Sequence, residues 1–146
     1  ITALWNAMIR DTLATFTRIE KTKAAVAKMI NQRQGGFFVA MHKDALVGFV
    51  TFATFRNGPG YASTVEHTVI VASGMHRQSI GKRLMEHAQI QARAQSKHVM
   101  VAAISSANPK AVQFHTALGF SQVARMPEVG NKNGRWLDLI LMQKLL

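Results

Sequence analysis

A strand that runs through a short basic turn into a helix, at residues 66–83 (EHTVIVASGMHRQSIGKR), constrains this chain more than any other stretch. The β-branched residues Val69, Ile70 and Val71 favour a strand, and Ala72, Ser73 and Gly74 end it in a turn. Downstream, Ile80, Leu84, Ala88 and Ala92 recur every four residues, so the spacing predicts a helix that starts near Ser79. The turn then lies at a helix N-terminus, where the first backbone N–H groups lack partners within the helix and the macrodipole adds partial positive charge. Phosphate oxygens suit such an end. Ser79 and Gly81 are small enough for a ligand to approach the backbone, and Arg77, Lys82 and Arg83 bring full charges.

This turn has neither the Gly-Lys-Ser/Thr of a Walker loop nor the three spaced glycines of a dinucleotide fold, so a different phosphate carrier is expected. A length of 146 residues suffices for one domain with a real core and is short for two, so residues 1–146 are expected to form a single domain. No long apolar run and no charged-then-apolar leader occur, which predicts a soluble, cytoplasmic protein without a membrane partner. With no cysteine, disulfides, thiolate metal sites and any covalent cysteine intermediate are excluded. No metal is expected. The net charge of +11 raises nucleic acid as a partner, yet the basic residues are scattered and one tyrosine and two tryptophans offer little stacking surface. No nucleic-acid partner is expected. A coenzyme with several phosphates accounts for part of the charge.

In chain order, Leu4 and Met8 predict a short helix ending near Thr12, and Thr22 can cap a second whose Val26, Met29, Ile30 and Arg33 share a face. Gly35 and Gly36 stop it. Residues 37–41 and 45–55 read as a hairpin turning at Lys43 and Asp44, and residues 61–71 as the next strand. After the helix, the apolar run 98–104 predicts a strand parallel to its predecessor, because a helix crosses between them. Asn108 and Pro109 start a helix with Ala111, Phe114, His115 and Leu118 on one face, and Gly119 ends it. Residues 120–124 predict a strand, 126–134 a loop, and 135–143 a terminal strand with Trp136, Leu137, Leu139, Ile140 and Leu141 in the core.

The segment from His76 to Gly81 resembles the acetyl-coenzyme A loop, Gln/Arg-x-x-Gly-x-Gly/Ala, of the GNAT N-acetyltransferase superfamily, with His76 and Ser79 standing where the pattern has Gln/Arg and Gly. The run Asn108-x-x-Ala111-x-x-Phe114-His115-x-x-Leu118-Gly119-Phe120 is similar to that family's second coenzyme segment. Tyr61 followed by Thr64, Val65 and Glu66, Met126-Pro127-x-Val129-Gly130, and Gly134-Arg135-Trp136-x-Asp138 look like its phosphinothricin and methionine sulfoximine N-acetyltransferase branch. The resemblance covers the chain from Leu4. It implies an α/β (α+β) GNAT acyl-CoA acyltransferase fold with a mixed central sheet and a splayed parallel strand pair. Family members begin with a strand before the first helix, and that N-terminal strand is absent from this sequence. It also implies a homodimer.

What the resemblance implies about chemistry is specific. Acetyl-CoA is the cosubstrate, held by the backbone edge of Val69, Ile70 and Val71, by Arg77 and the turn Gln78, Ser79, Ile80, Gly81 and Lys82, and by Asn108, which also reads as a plain helix cap. An amine is largely ammonium at neutral pH and needs a base before it can attack a thioester. Glu66 takes that role in the branch; its plain alternative is a solvated strand residue. His115 is a candidate proton donor to the departing thiolate, or else a packed core histidine. Arg56 with Glu66 would hold a small amino-acid analogue, phosphinothricin, methionine sulfoximine or methionine sulfone, with Phe16 and Tyr61 as pocket walls or simple packing. The rival acceptors are a protein N-terminus, a lysine or a polyamine. A noncatalytic coenzyme- or nucleic-acid-binding module is the rival of another class.

Overall fold

A computed structural model describes every residue except Gln34, His76 and Arg77. Helices α1 (Thr2–Asp11) and α2 (Lys23–Gln32) precede strands β1 (Phe37–His42), β2 (Ala45–Thr54) and β3 (Thr64–Val71). Helix α3 (Ile80–Ala94), strand β4 (Val99–Ser105), helix α4 (Pro109–Ala117) and strands β5 (Ser121–Lys132) and β6 (Arg135–Leu145) complete the chain. Thr22 caps α2 through Oγ1 on Ala25 N at 3.1 Å, and Asn108 caps α4 through Oδ1 on Ala111 N at 3.3 Å. Each satisfies one of the amides a helix start leaves without a partner.

Among the described residues, six strands form one mixed sheet in the order β1-β2-β3-β4-β6-β5, in which only β3 and β4 run parallel. Both faces are covered. Trp5 and Ile9 of α1 pack with Phe49 and Ile70 on one face. Leu84, Met85, Ala88 and Ala92 of α3 pack with Val50, Phe52, Val65 and Met100 on the other. That double cover explains the unbroken burial along β2, whose residues 47–52 are all buried.

Three expectations need correction. The strand expected over 61–71 starts at Thr64, because Pro59–Tyr61 coil into a 3₁₀ turn behind Gly58, whose φ of 108° breaks the extended run. The loop expected over 126–134 is mostly strand: β5 continues to Lys132 across a register shift between Met126 and Gly130, where Glu128 takes φ 54°. Its hairpin turns at Asn133 and Gly134, both with positive φ (53° and 77°), the geometry an Asn-Gly pair favours. Trp136, placed in the core by its apolar character, is 64% exposed because alternation along β6 sends Leu137 inward and Trp136 out.

Candidate active site

The parallel pair is short. β3 and β4 are in register only at Thr64↔Val99, Val65↔Met100 and Glu66↔Val101, after which they diverge. From Thr68 to Val71, β3 remains paired with β2 on one edge, and the edge towards β4 is left unpaired. A cavity of about 360 Å³ opens in this split, walled by Trp5 and Met8 of α1, the loop 14–17, Lys21, Glu66 to Val69, Ala102 to Ser105, and Asn108, Ala111 and His115 of α4. Successive β3 residues point to opposite faces, yet four in a row border the cavity. It therefore passes through the sheet, joining the α1 side to the α4 side.

Glu66 is the last residue of β3 paired with β4 and stands at the fork. Burial pushes its carboxyl above the usual carboxylate range, and the Arg33 guanidinium pulls the other way. Arg33 is held by Nη1 donating to Thr51 Oγ1 at 3.1 Å. On the opposite face, the buried His67 and His115 rings meet Nε2 to Nε2 at 2.9 Å. His115 is buried and hydrogen-bonded, and it borders the cavity. Asn108 caps α4 and also lines the cavity.

The expected coenzyme residues divide by position. Val69 lines the cavity, Ile70 is buried towards α1, and Val71 packs with the α3 cluster, so what the strand offers a ligand is its free backbone edge. Ser79 sits at the N-cap of α3 in a left-handed conformation, φ 58°, and its side chain makes no capping bond. The first amides of a 15-residue helix are thereby left for another acceptor. Gly81 lets α4 approach α3: a Cβ there would lie 3.3 Å from the Phe114 ring. Ile80 packs into the core, Lys82 pairs with Glu86 at 3.8 Å, and Gln78 donates to Met75 Sδ at 3.7 Å. Arg77 and His76 lie outside the described residues.

Of the residues expected to meet the acceptor, Phe16 lines the cavity. Arg56 and Tyr61 do not border it. Both are exposed, with Arg56 over the Phe55 ring at 5.2 Å and Tyr61 edge-on to that ring at 6.4 Å. Among the described residues, the cation at the wall is Lys21, whose Nζ lies 4.7 Å from the Trp5 ring centroid. Asn6 clamps its backbone from both sides, Nδ2 to Lys21 O at 2.9 Å and Lys21 N to Oδ1 at 2.8 Å. Sequence reasoning missed Lys21 because it sits on a connection with no periodicity. It missed His67 as well, although alternation along a strand places that ring on the face opposite Glu66.

Phe16 is held against β5, where a Cβ on Gly130 would collide with its ring. Gly130→Ala is expected to push Phe16 and its loop off the sheet, costing about 1–3 kcal/mol of stability. A raised KM for the amine with unchanged acetyl-CoA affinity, measured by steady-state kinetics and titration, is the matching functional result.

Residues 4–120 match the acetyltransferase (GNAT) family. The chain belongs to that family. This GNAT N-acetyltransferase is 35% identical over 146 residues to the L-methionine sulfoximine/L-methionine sulfone acetyltransferase of Salmonella typhimurium, covering 98% of this chain and 85% of that protein. Its fold is similar to that of a GNAT phosphinothricin acetyltransferase from Sinorhizobium meliloti crystallised with acetyl-CoA, at TM-score 0.93 and 28% identity over 99% of this chain and 80% of that one. It is equally similar to a ribosomal-protein-alanine N-acetyltransferase from Brucella melitensis, at TM-score 0.94 and 30% identity over 99% and 91% of the two chains. The mixed six-stranded sheet with its one splayed parallel pair is the GNAT architecture expected from sequence.

Proposed function

We propose that this enzyme transfers the acetyl group of acetyl-CoA to the α-amine of a small amino acid of the methionine sulfoximine, methionine sulfone or phosphinothricin type. The observation that carries the reading is the cavity through the split sheet, which has a carboxylate, Glu66, and an ammonium, Lys21, on its walls. A zwitterion fits that pair, with its amine at Glu66 and its carboxylate at Lys21. Apolar walls from Trp5, Met8 and Phe16 receive the side chain.

The residues present also fit the cosubstrate. The free β3 edge offers N–H and C=O groups to the amides of a pantetheine arm, and the uncapped N-terminus of α3 offers amides to a pyrophosphate. Bound acetyl-CoA supplies an activated thioester carbonyl. Glu66 removes a proton from the substrate ammonium, directly or through one water, so that the free amine can attack that carbonyl. His115, on the α4 side, stands ready to protonate the sulfur as it leaves.

Thiol release from acetyl-CoA should be measured with methionine sulfoximine, methionine sulfone, phosphinothricin and a peptide with N-terminal alanine. Turnover with the small amino acids is expected, and turnover with the peptide alone would overturn the reading. In the same assay Lys21→Met is expected to raise the amine KM about tenfold through loss of a charged hydrogen bond. Arg56→Ala, away from the cavity, serves as the comparison; a larger KM effect there would return the carboxylate site to Arg56.

A further inference from the structure

We propose that His67 and His115 hold a single proton between their Nε2 atoms, and that His67 is the positioning residue that stores this proton for His115. Two carbonyl oxygens fix the tautomers. His67 Nδ1 lies 2.8 Å from Val101 O and His115 Nδ1 lies 2.7 Å from Ala111 O. A carbonyl can only accept, so each Nδ1 carries a hydrogen and donates it. In two neutral rings so arranged, both Nε2 atoms would be bare lone pairs, and they face each other at 2.9 Å. One added proton converts that repulsion into a charge-assisted N–H···N bond. A second proton does not fit: burial, followed by repulsion from a charged His115, pulls His67 down to about 3.

The surroundings favour a confined proton. Phe120 lies 5.5 Å from the His67 ring and 5.2 Å from the His115 ring, and Phe114 meets His115 edge-on at 5.1 Å. Of the charged groups around the pair, Glu66 of β3 borders the same cavity and favours the positive charge, and Lys21 borders it and opposes it. Lys110 on α4 is exposed, and Lys144 of β6 is tied to Leu118 O at 2.6 Å, past the C-terminal end of α4. The inward residues of α3, including Leu84, Met85 and Ala88, carry no charge.

The consequence for catalysis rests on the proposed acetyl transfer, whereas the shared proton does not. His115 gives the stored proton to the sulfur as the carbon–sulfur bond breaks, and the neutral pair then takes the second proton of the attacking nitrogen. The pair ends as it began, and the net proton released is the one Glu66 removed. A lone buried His115 would be mostly uncharged at neutral pH and could not serve as this acid, since burial lowers its pKa.

Imidazole NMR of the ligand-free, histidine-labelled protein tests the shared proton without turnover. A downfield, exchange-protected proton bound to one Nε2 is expected between pH 5 and 8, lost in both His67→Gln and His115→Gln. Unprotonated Nε2 signals on both rings throughout that range would overturn the proposal. For the catalytic role, His67→Gln is expected to fold, to bind acetyl-CoA, and to lower kcat at least tenfold, with the alkaline limb of kcat moved to lower pH. An unchanged pH profile in that variant would remove His67 from the proton path. Absence of turnover in the wild type would sink the acetyl-transfer reading and leave the NMR result standing.

Discussion

Glu66→Gln is expected to lower kcat by about 10²–10⁴-fold at neutral pH, the usual contribution of a positioned general base, with no change in acetyl-CoA affinity. The amide keeps the shape of the side chain and cannot take a proton. Its position at the fork of β3 and β4 leaves the free β3 edge and the α3 N-terminus untouched, so titration of acetyl-CoA should match the wild type. The pH dependence follows from the sign of the shift. Burial raises the Glu66 pKa, a base acts when deprotonated, and kcat/KM should therefore rise with pH through a limb lying above the usual carboxylate range. The limb should vanish in Glu66→Gln. Arg33 favours the carboxylate, so Arg33→Met should move the limb to higher pH. A loss of less than tenfold, or a limb that persists in Glu66→Gln, would assign the base elsewhere.

What could be read from the sequence was whatever local chemistry dictates. Lys43 and Asp44 both take positive φ in a tight turn, as two polar residues between apolar strands suggest, and the helix between β3 and β4 forces them parallel. Glu66 and His115, which border the cavity, were singled out because a carboxylate and a histidine stood in segments resembling known motifs. The bulge in β5 was not legible, because Pro127 and Gly130 read as loop residues unless their partner strand is known. The wall that carries Lys21 was illegible for a related reason. Lys21 reaches the cavity through the clamp of Asn6, 15 residues away, whereas Arg56 lies exposed over the Phe55 ring. The His67–His115 contact joins residues 48 apart, which only the tertiary fold brings together.

Lys132 is the most distant case, and its replacement is expected to have the largest effect on stability. Alternation along a strand that the sequence did not reveal turns this lysine inward, to 2% exposure. Its Nζ donates to Ile9 O at 2.6 Å, Thr12 O at 2.7 Å and Thr15 O at 3.1 Å, so three ammonium hydrogens meet three carbonyls. Ile9 lies in the last turn of α1, where carbonyls lack helical partners and a positive charge meets the negative end of the dipole. Thr12 Oγ1 serves the neighbouring Met8 O at 2.7 Å, which leaves the rest of that end to Lys132. Lys132→Met keeps the stem in place and removes every donor, leaving three carbonyls to seek water. At about 1–3 kcal/mol for each buried group left unsatisfied, with partial relaxation, a total near 3 kcal/mol is expected. For a chain of this size that lowers Tm by about 6–12 °C. The loss should persist at high salt, because a buried contact is poorly screened, whereas a surface charge effect would fade. Thr15 and Phe16 wall the cavity, so under the proposed function the amine KM should rise in the surviving folded fraction while acetyl-CoA affinity stays unchanged. A Tm within about 2 °C of wild type would mean that the three carbonyls find other partners, and that the acceptor loop is held by Phe16 against Gly130 alone.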